Sequence, residues 1–220
     1  MTSVKEKLND IHLRITKAAE KAGRSPEEIT LIAVTKTVSP EIIMEAYLEG
    51  ERTFGENRVQ ELTSKYPLKE DAKWHLIGHL QTNKVKYVVG KAELIHSVDS
   101  LRLAEAINEE AKKQGIVQKI LLEVNISGEE SKYGLTIGQI PTIINNIMKM
   151  EGLSFEGFMT MAPLGAEKEV LRDVFSKAKN LFEEYKNCGA KVLSMGMSGD
   201  FETAIEQGAT HVRIGSAIFR

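Results

Sequence analysis

Lys36 closes the apolar run Leu31 to Thr35, so its amine is expected at the rim of whatever sheet that run joins, partly shielded from water. Burial and a neighbouring cation both favour a neutral amine, the form that attacks an aldehyde. Two later segments suit an anion. Ser194 to Asp200 reads SMGMSGD and Arg213 to Ser216 reads RIGS. Their small residues let backbone N–H groups come close to a phosphate, and the first segment leads into a helix whose free amides and dipole favour negative charge. Ser198 adds a hydroxyl, and Gly199, Gly215 and Ser216 add amides. A reactive lysine and a phosphate cradle at one place describe a pocket for a phosphorylated aldehyde. Each part also has a plainer explanation, since strand-end lysines are commonly solvated or ion-paired and glycines commonly make tight turns.

Other chemistries find less support. His75 and His79 stand four apart, but one falls in an apolar run and the other in a polar loop, so the spacing does not mark a zinc site. His12 and His96 read as structural and His211 as a strand residue; no Ser-His-Asp or Cys-His arrangement has a supporting context. Cys188 reads as a partly buried small residue at a helix end.

The elements that must position these groups repeat one phrase. Eight β-rich apolar runs, roughly 30–35, 53–55, 74–77, 94–98, 119–125, 154–159, 191–194 and 211–214, alternate with polar loops and helix-periodic stretches. Gly50, Gly90, Gly115, Gly152, Gly189 and Gly208 precede successive runs, as helix-ending glycines do. A leading helix carries Val4, Leu8, Ile11, Ile15 and Ala18 on one stripe behind a Ser3 and Glu6 capping pattern. Ser39 and Pro40 open another helix, and Val170, Val174, Phe175, Ala178, Leu181, Phe182 and Tyr185 form the sheet-facing stripe of a third.

Strict alternation implies parallel strands with helical crossovers. Eight strands in 220 residues imply one domain over 1–220, an α/β fold of the (β/α)8 TIM-barrel type with an extra N-terminal helix and seven connecting helices. The alternative is an open doubly wound sheet, against which no G-x-G-x-x-G turn follows any run. In such a barrel the loops after the strands form the functional mouth. Glu56, Asn57, His79, Gln81, Asn125, Ser127 and Thr160 all fall there, beside Lys36 and the two anion segments.

Composition narrows the partner. Twenty-nine basic and 31 acidic residues leave a net charge of −2, which gives no global field for nucleic acid or a membrane surface. A small molecule is the expected ligand. One cysteine, a charged N-terminus and no apolar stretch of about 20 residues suit a protein of the reducing cytoplasm.

Several segments carry a family resemblance. AVTK ending at Lys36, FGENRVQEL from Phe54, WHLIGHLQTNK from Trp74, SVDS from Ser97, NISGEESKYG from Asn125, GFMTMAP from Gly157, SMGMSGD and VRIGSAIF resemble the pyridoxal phosphate homeostasis protein family, in order and along essentially the whole chain. The resemblance implies a fold similar to the alanine racemase N-terminal barrel. It implies pyridoxal 5'-phosphate as cofactor, held as a Schiff base on Lys36, with Ser198, Gly199, Gly215 and Ser216 at the phosphate. It further places Arg213 at the pyridine nitrogen and Asn57 beside the ring, with His79, Asn125 and Met195 nearby. An arginine there keeps the ring nitrogen unprotonated and weakens the cofactor as an electron sink.

The function implied is a carrier or regulator of the cofactor, a monomer with no robust catalysis, which passes its cargo transiently to pyridoxal-phosphate-dependent apoenzymes. The racemases use a second, β-rich domain for part of their chemistry, and no residues are left here to build one. The family pattern usually runs on into a glycine and a short basic tail where this sequence reads IFR. A small racemase-like enzyme is the alternative function, and a lysine-dependent aldolase acting on a sugar phosphate is a third.

Overall fold

The computed structural model describes residues 3–129 and 133–220. The eight apolar runs are eight strands: β1 Thr30–Val34, β2 Thr53–Glu56, β3 Lys73–Leu76, β4 Leu94–Val98, β5 Gln118–Glu123, β6 Leu153–Met159, β7 Val192–Met197 and β8 His211–Ile214. They pair in sequence order, all parallel, and β8 returns to β1 from the Thr30 and His211 pair to the Ala33 and Ile214 pair. The ring is closed, so the open-sheet alternative is excluded.

The helices are α1 Val4–Lys21, α2 Pro40–Leu48, α3 Val59–Lys65, α4 Leu101–Gln114, α5 Ile140–Ile147, α6 Lys168–Glu184, α7 Phe201–Glu206 and α8 Ser216–Phe219. In α1 the Ser3 hydroxyl accepts from the Glu6 amide, and the Glu6 carboxylate accepts from the Ser3 amide at 2.8 Å. That helix buries Leu8, Ile11, Ile15 and Ala18, packs on α2, α7 and α8, and so covers the outside of the β8 and β1 seam.

Two expectations need correction. The connection from β3 to β4 is a 3-10 helix, Thr82–Tyr87, instead of an α-helix. Its TNKVKY sequence is poor in strong helix formers, although Leu80, Val85, Val88 and Val89 still bury as a helix face would. In α6, Val170 is exposed and Leu171 takes its place on the buried stripe.

Apolar packing falls into two unequal parts. The large one lies between strands and helices and includes Phe54, Trp74, Phe158, Phe175 and Phe201. Full burial of such side chains contributes about 1.5–3 kcal/mol each. The small one is Leu94, Leu121 and Met159, inside the ring. Beside it the lumen holds Ile32 and a group of polar side chains.

Candidate binding site

The anion loops meet at the seam of the barrel. Gly196, at φ 92°, lets α7 press against β7, for a Cβ there would stand 2.6 Å from that of Ala204. The following loop is closed by Asp200, whose carboxylate accepts from the Met197 amide at 2.6 Å. The Ala217 amide donates to the Ser198 hydroxyl at 3.5 Å, which ties the β7 loop to the β8 loop. Gly215 packs against the end of β1, where a Cβ would lie 3.0 Å from the Val34 carbonyl oxygen. Lys36 follows two residues on, so the lysine and both anion loops share one rim.

Among the described residues the amides of Ser198, Gly199, Gly215 and Ser216 donate to no backbone or side-chain partner. Those amides are free to donate to a ligand. With six residues in α7 and four in α8, a full helix dipole is not available. Lys36 itself is exposed, not shielded as its place after an apolar run suggests, because the chain turns outward immediately after Thr35.

Below the rim the lumen holds a hydrogen-bonded chain with a fixed direction. Arg213, 4% exposed, donates from Nη1 to the Ser194 hydroxyl at 2.6 Å and from Nη2 to the Thr160 carbonyl at 3.0 Å. Ser194 Oγ lies 3.0 Å from His96 Nδ1, and His96 Nε2 lies 2.9 Å from His75 Nδ1. A guanidinium can only donate, so the serine proton goes to His96 Nδ1, which must be an acceptor. His96 then carries its proton on Nε2 and donates to His75. His211 stacks on His75 with ring centroids 6.2 Å apart.

Burial keeps these rings neutral: it lowers His75 to about 3 and His211 to about 4, and pushes His96 well below its ordinary value. Burial also lowers Arg213 to about 10, against the attraction of Asp200 and Glu123. It remains charged at neutral pH, with no carboxylate at ion-pair distance among the described residues. A buried guanidinium without a paired carboxylate is costly, and such a group commonly awaits a ligand.

The other expected residues fare unevenly. Asn57 is half-buried at the rim, its backbone so close to Gly78 that a Cβ there would be 2.3 Å from the Asn57 carbonyl oxygen. His79 is exposed, 3.3 Å from Asp99 through Nδ1 and stacked on Tyr133. Asn125 spends its side chain on its own loop, accepting from the Gly128 amide and donating to the Glu129 carbonyl. The NISGEESKYG motif continues through residues 130–132, which lie outside the described residues. Met195 is not at the site. It is fully buried in the outer apolar layer, because Ser194 beside it points into the lumen and neighbouring strand residues face opposite ways.

Glu123 went unnoticed as chemistry, and Glu56 was placed at the mouth without its partners. Glu123 ends β5 two residues after the lumen residue Leu121, nearly fully buried, and burial raises it to about 7, with Asp99 pushing the same way and Arg213 opposing. Buried Glu56 accepts from Lys65 Nζ at 2.8 Å and from the Thr35 hydroxyl at 2.6 Å, and its second oxygen has no partner. Burial raises its carboxyl despite both donors. The signal for this pair was in FGENRVQEL and the lysine after it, where Glu61 and Lys65 stand one helical turn apart.

A closed parallel barrel with its polar groups at the strand C-termini and a rim lysine is the architecture of the alanine racemase N-terminal domain, and the profile of that domain matches residues 7–220. The alanine racemase of Clostridium difficile superposes with a TM-score of 0.81 at 17% identity, over 98% of this chain and 56% of that one, which is a likeness of fold. A protein of Aquifex aeolicus named pyridoxal phosphate homeostasis protein is 45% identical over 97% of this chain and 96% of its own length. The structure of PipY of Synechococcus elongatus with PLP bound has a TM-score of 0.83 at 33% identity, over 94% of this chain and all of that one. The chain belongs to the pyridoxal phosphate homeostasis protein family.

Proposed function

We propose that this protein binds pyridoxal 5'-phosphate at the barrel mouth and serves to hold and supply that cofactor in the cell. The observation that carries the reading is the seam, where Gly215 on Val34 and the tie between Ala217 and Ser198 bring Lys36 and four unengaged amides to one rim. The family and the PLP-bound PipY structure support it.

The residues fit the group. Gly199 has open space where a Cβ would stand, and the amides at 198, 199, 215 and 216 would hold the phosphate. Lys36 would supply the amine that holds the group through its aldehyde. When bound, such a cofactor supplies an electron sink for carbanions whenever its ring nitrogen is protonated. Arg213 offers only donors, so a ring nitrogen facing it accepts and stays unprotonated. The arginine that anchors the ring thereby restrains catalysis, as suits a carrier that yields its cargo to apoenzymes in the cytoplasm.

Borohydride reduction followed by peptide mapping tests this. The cofactor mass is expected on the Lys36 peptide and absent in Lys36→Ala; its appearance on another lysine, or no uptake, overturns the reading.

Glu123 gives a second reading specific support. A carboxyl held near neutrality in the lumen can take or give a proton, the role a racemase-like activity would require. On that reading, isotope exchange at the α-carbon of an amino acid proceeds with loaded protein and stops in Glu123→Gln. Exchange that continues in Glu123→Gln, or none in the parent, removes it.

A further inference from the structure

The backbone that carries Lys36 is held in an unusual conformation. Val38 donates its amide to the Thr35 carbonyl at 2.9 Å, so Thr35 to Val38 form a tight turn with Lys36 and Thr37 at its centre. Thr37 has φ 61°, the only positive φ at a non-glycine among the described residues. Positive φ at the third position alone is the mark of a type II turn, whose third residue is ordinarily glycine. A β-branched residue there is strained and persists only where its surroundings hold it.

What holds it is one carboxylate. The Thr37 amide donates to Glu61 Oε2 at 2.8 Å, and Lys65 Nζ donates to that oxygen at 3.0 Å and to the Thr35 carbonyl at 2.9 Å. Lys65 is buried and further anchored by Glu56. Both residues that flank Lys36 are thus clamped by α3, one through its carbonyl and the other through its amide. Burial would raise the Glu61 carboxyl, yet the Thr37 amide and Lys65 hold it below its ordinary value, so the clamp is ionised at neutral pH.

We propose that Glu61, oriented by Lys65, is a positioning residue that forces the strained turn at Thr37 and so fixes the direction in which the Lys36 amine leaves the barrel rim. The part that concerns the cofactor rests on the reading that Lys36 binds it. An unclamped Thr37 would relax toward negative φ and swing Lys36 away from the anion loops.

The test uses Glu61→Ala, Thr37→Gly and the double variant. In the cofactor-free protein, amide hydrogen exchange at Thr37 should quicken about tenfold or more in Glu61→Ala, as loss of a charge-assisted hydrogen bond implies. The amides of α1 and α6 serve as the unchanged control. In loaded protein, release of pyridoxal phosphate, followed by absorbance, should also quicken about tenfold in Glu61→Ala. Glycine reaches positive φ without the clamp, so Thr37→Gly in the Glu61→Ala background should restore release to within about threefold of the parent. A merely structural role for Glu61 predicts no such rescue.

Unchanged Thr37 exchange in Glu61→Ala overturns the clamp. Faster exchange with unchanged release, or a double variant as fast as Glu61→Ala, overturns its bearing on Lys36. A parent that takes up no cofactor on Lys36 overturns the binding reading alone, and the exchange result then decides the clamp by itself.

Discussion

The two sides of the barrel wall obey different rules. Outside, between strands and helices, one continuous apolar layer runs from Leu8 to Ile218 with aromatic rings at its centre. Inside, among the described residues, Ile32 and the apolar plug of Leu94, Leu121 and Met159 share the space with His75, His96, His211, Ser194, Arg213 and Glu123. Barrels of this type ordinarily pack their lumen with layers of branched aliphatic side chains. The contrast assigns stability to the outer layer and ligand recognition to the inner one, since polar groups are buried at a cost that packing alone does not explain.

The sharpest way to break that division is to damage each side separately. Phe175→Ala, in the outer layer, should cost about 3–5 kcal/mol in denaturant unfolding and leave the cofactor affinity of the folded fraction within about twofold. Arg213→Met should do the reverse. Removing a buried charge that has no paired carboxylate should leave stability within about 1 kcal/mol or raise it. Cofactor affinity should nonetheless fall about tenfold or more, read by equilibrium dialysis. A large stability loss in Arg213→Met with intact binding would reverse the roles drawn here.

Acid sharpens the comparison more gently. The lumen histidines have native values far below their unfolded ones, so the unfolded chain binds protons that the native chain refuses. Their stabilisation is full above about pH 6.5 and is lost as the pH falls toward 4 and 3. Glu123 works the other way, with a native value raised to about 7, so its contribution is present below about pH 4.5 and lost as the pH rises to 7. The three histidines, whose values fall below this window or to its edge, outweigh the raised carboxyls of Glu123, Glu56 and Asp200, and net stability should fall from pH 6.5 to 4.5. In urea melts across that window His211→Asn should flatten the fall, and Glu123→Gln should steepen it.

The outer layer was legible because periodicity reports it. Strands read as apolar runs and helices as stripes, and the Ser3 cap and closing glycines marked their ends. The short 3-10 crossover escaped because six residues give too little periodicity to separate it from an α-helix. The lumen was much less legible. Glu123 hid inside an apolar run, and His96 and His211 looked like ordinary strand residues, because their partners sit on strands far away in sequence. The rim position of Lys36 and of the loops after β7 and β8 was readable from strand order and family resemblance. Met195 was misplaced because a motif says which residues are near, and strand alternation decides which way each one faces.

The hydrogen-bonded seam between the first strand and the last has a consequence for how the protein comes into being. Lys36 emerges in synthesis long before Arg213 and Gly215, and they become neighbours only when β8 docks on β1. A partly made or partly unzipped chain therefore has no complete pocket. Any ligand that needs both ends of the chain selects the finished ring and stabilises it by mass action. On the proposed function, uptake of the cofactor and completion of the fold are linked in one molecule.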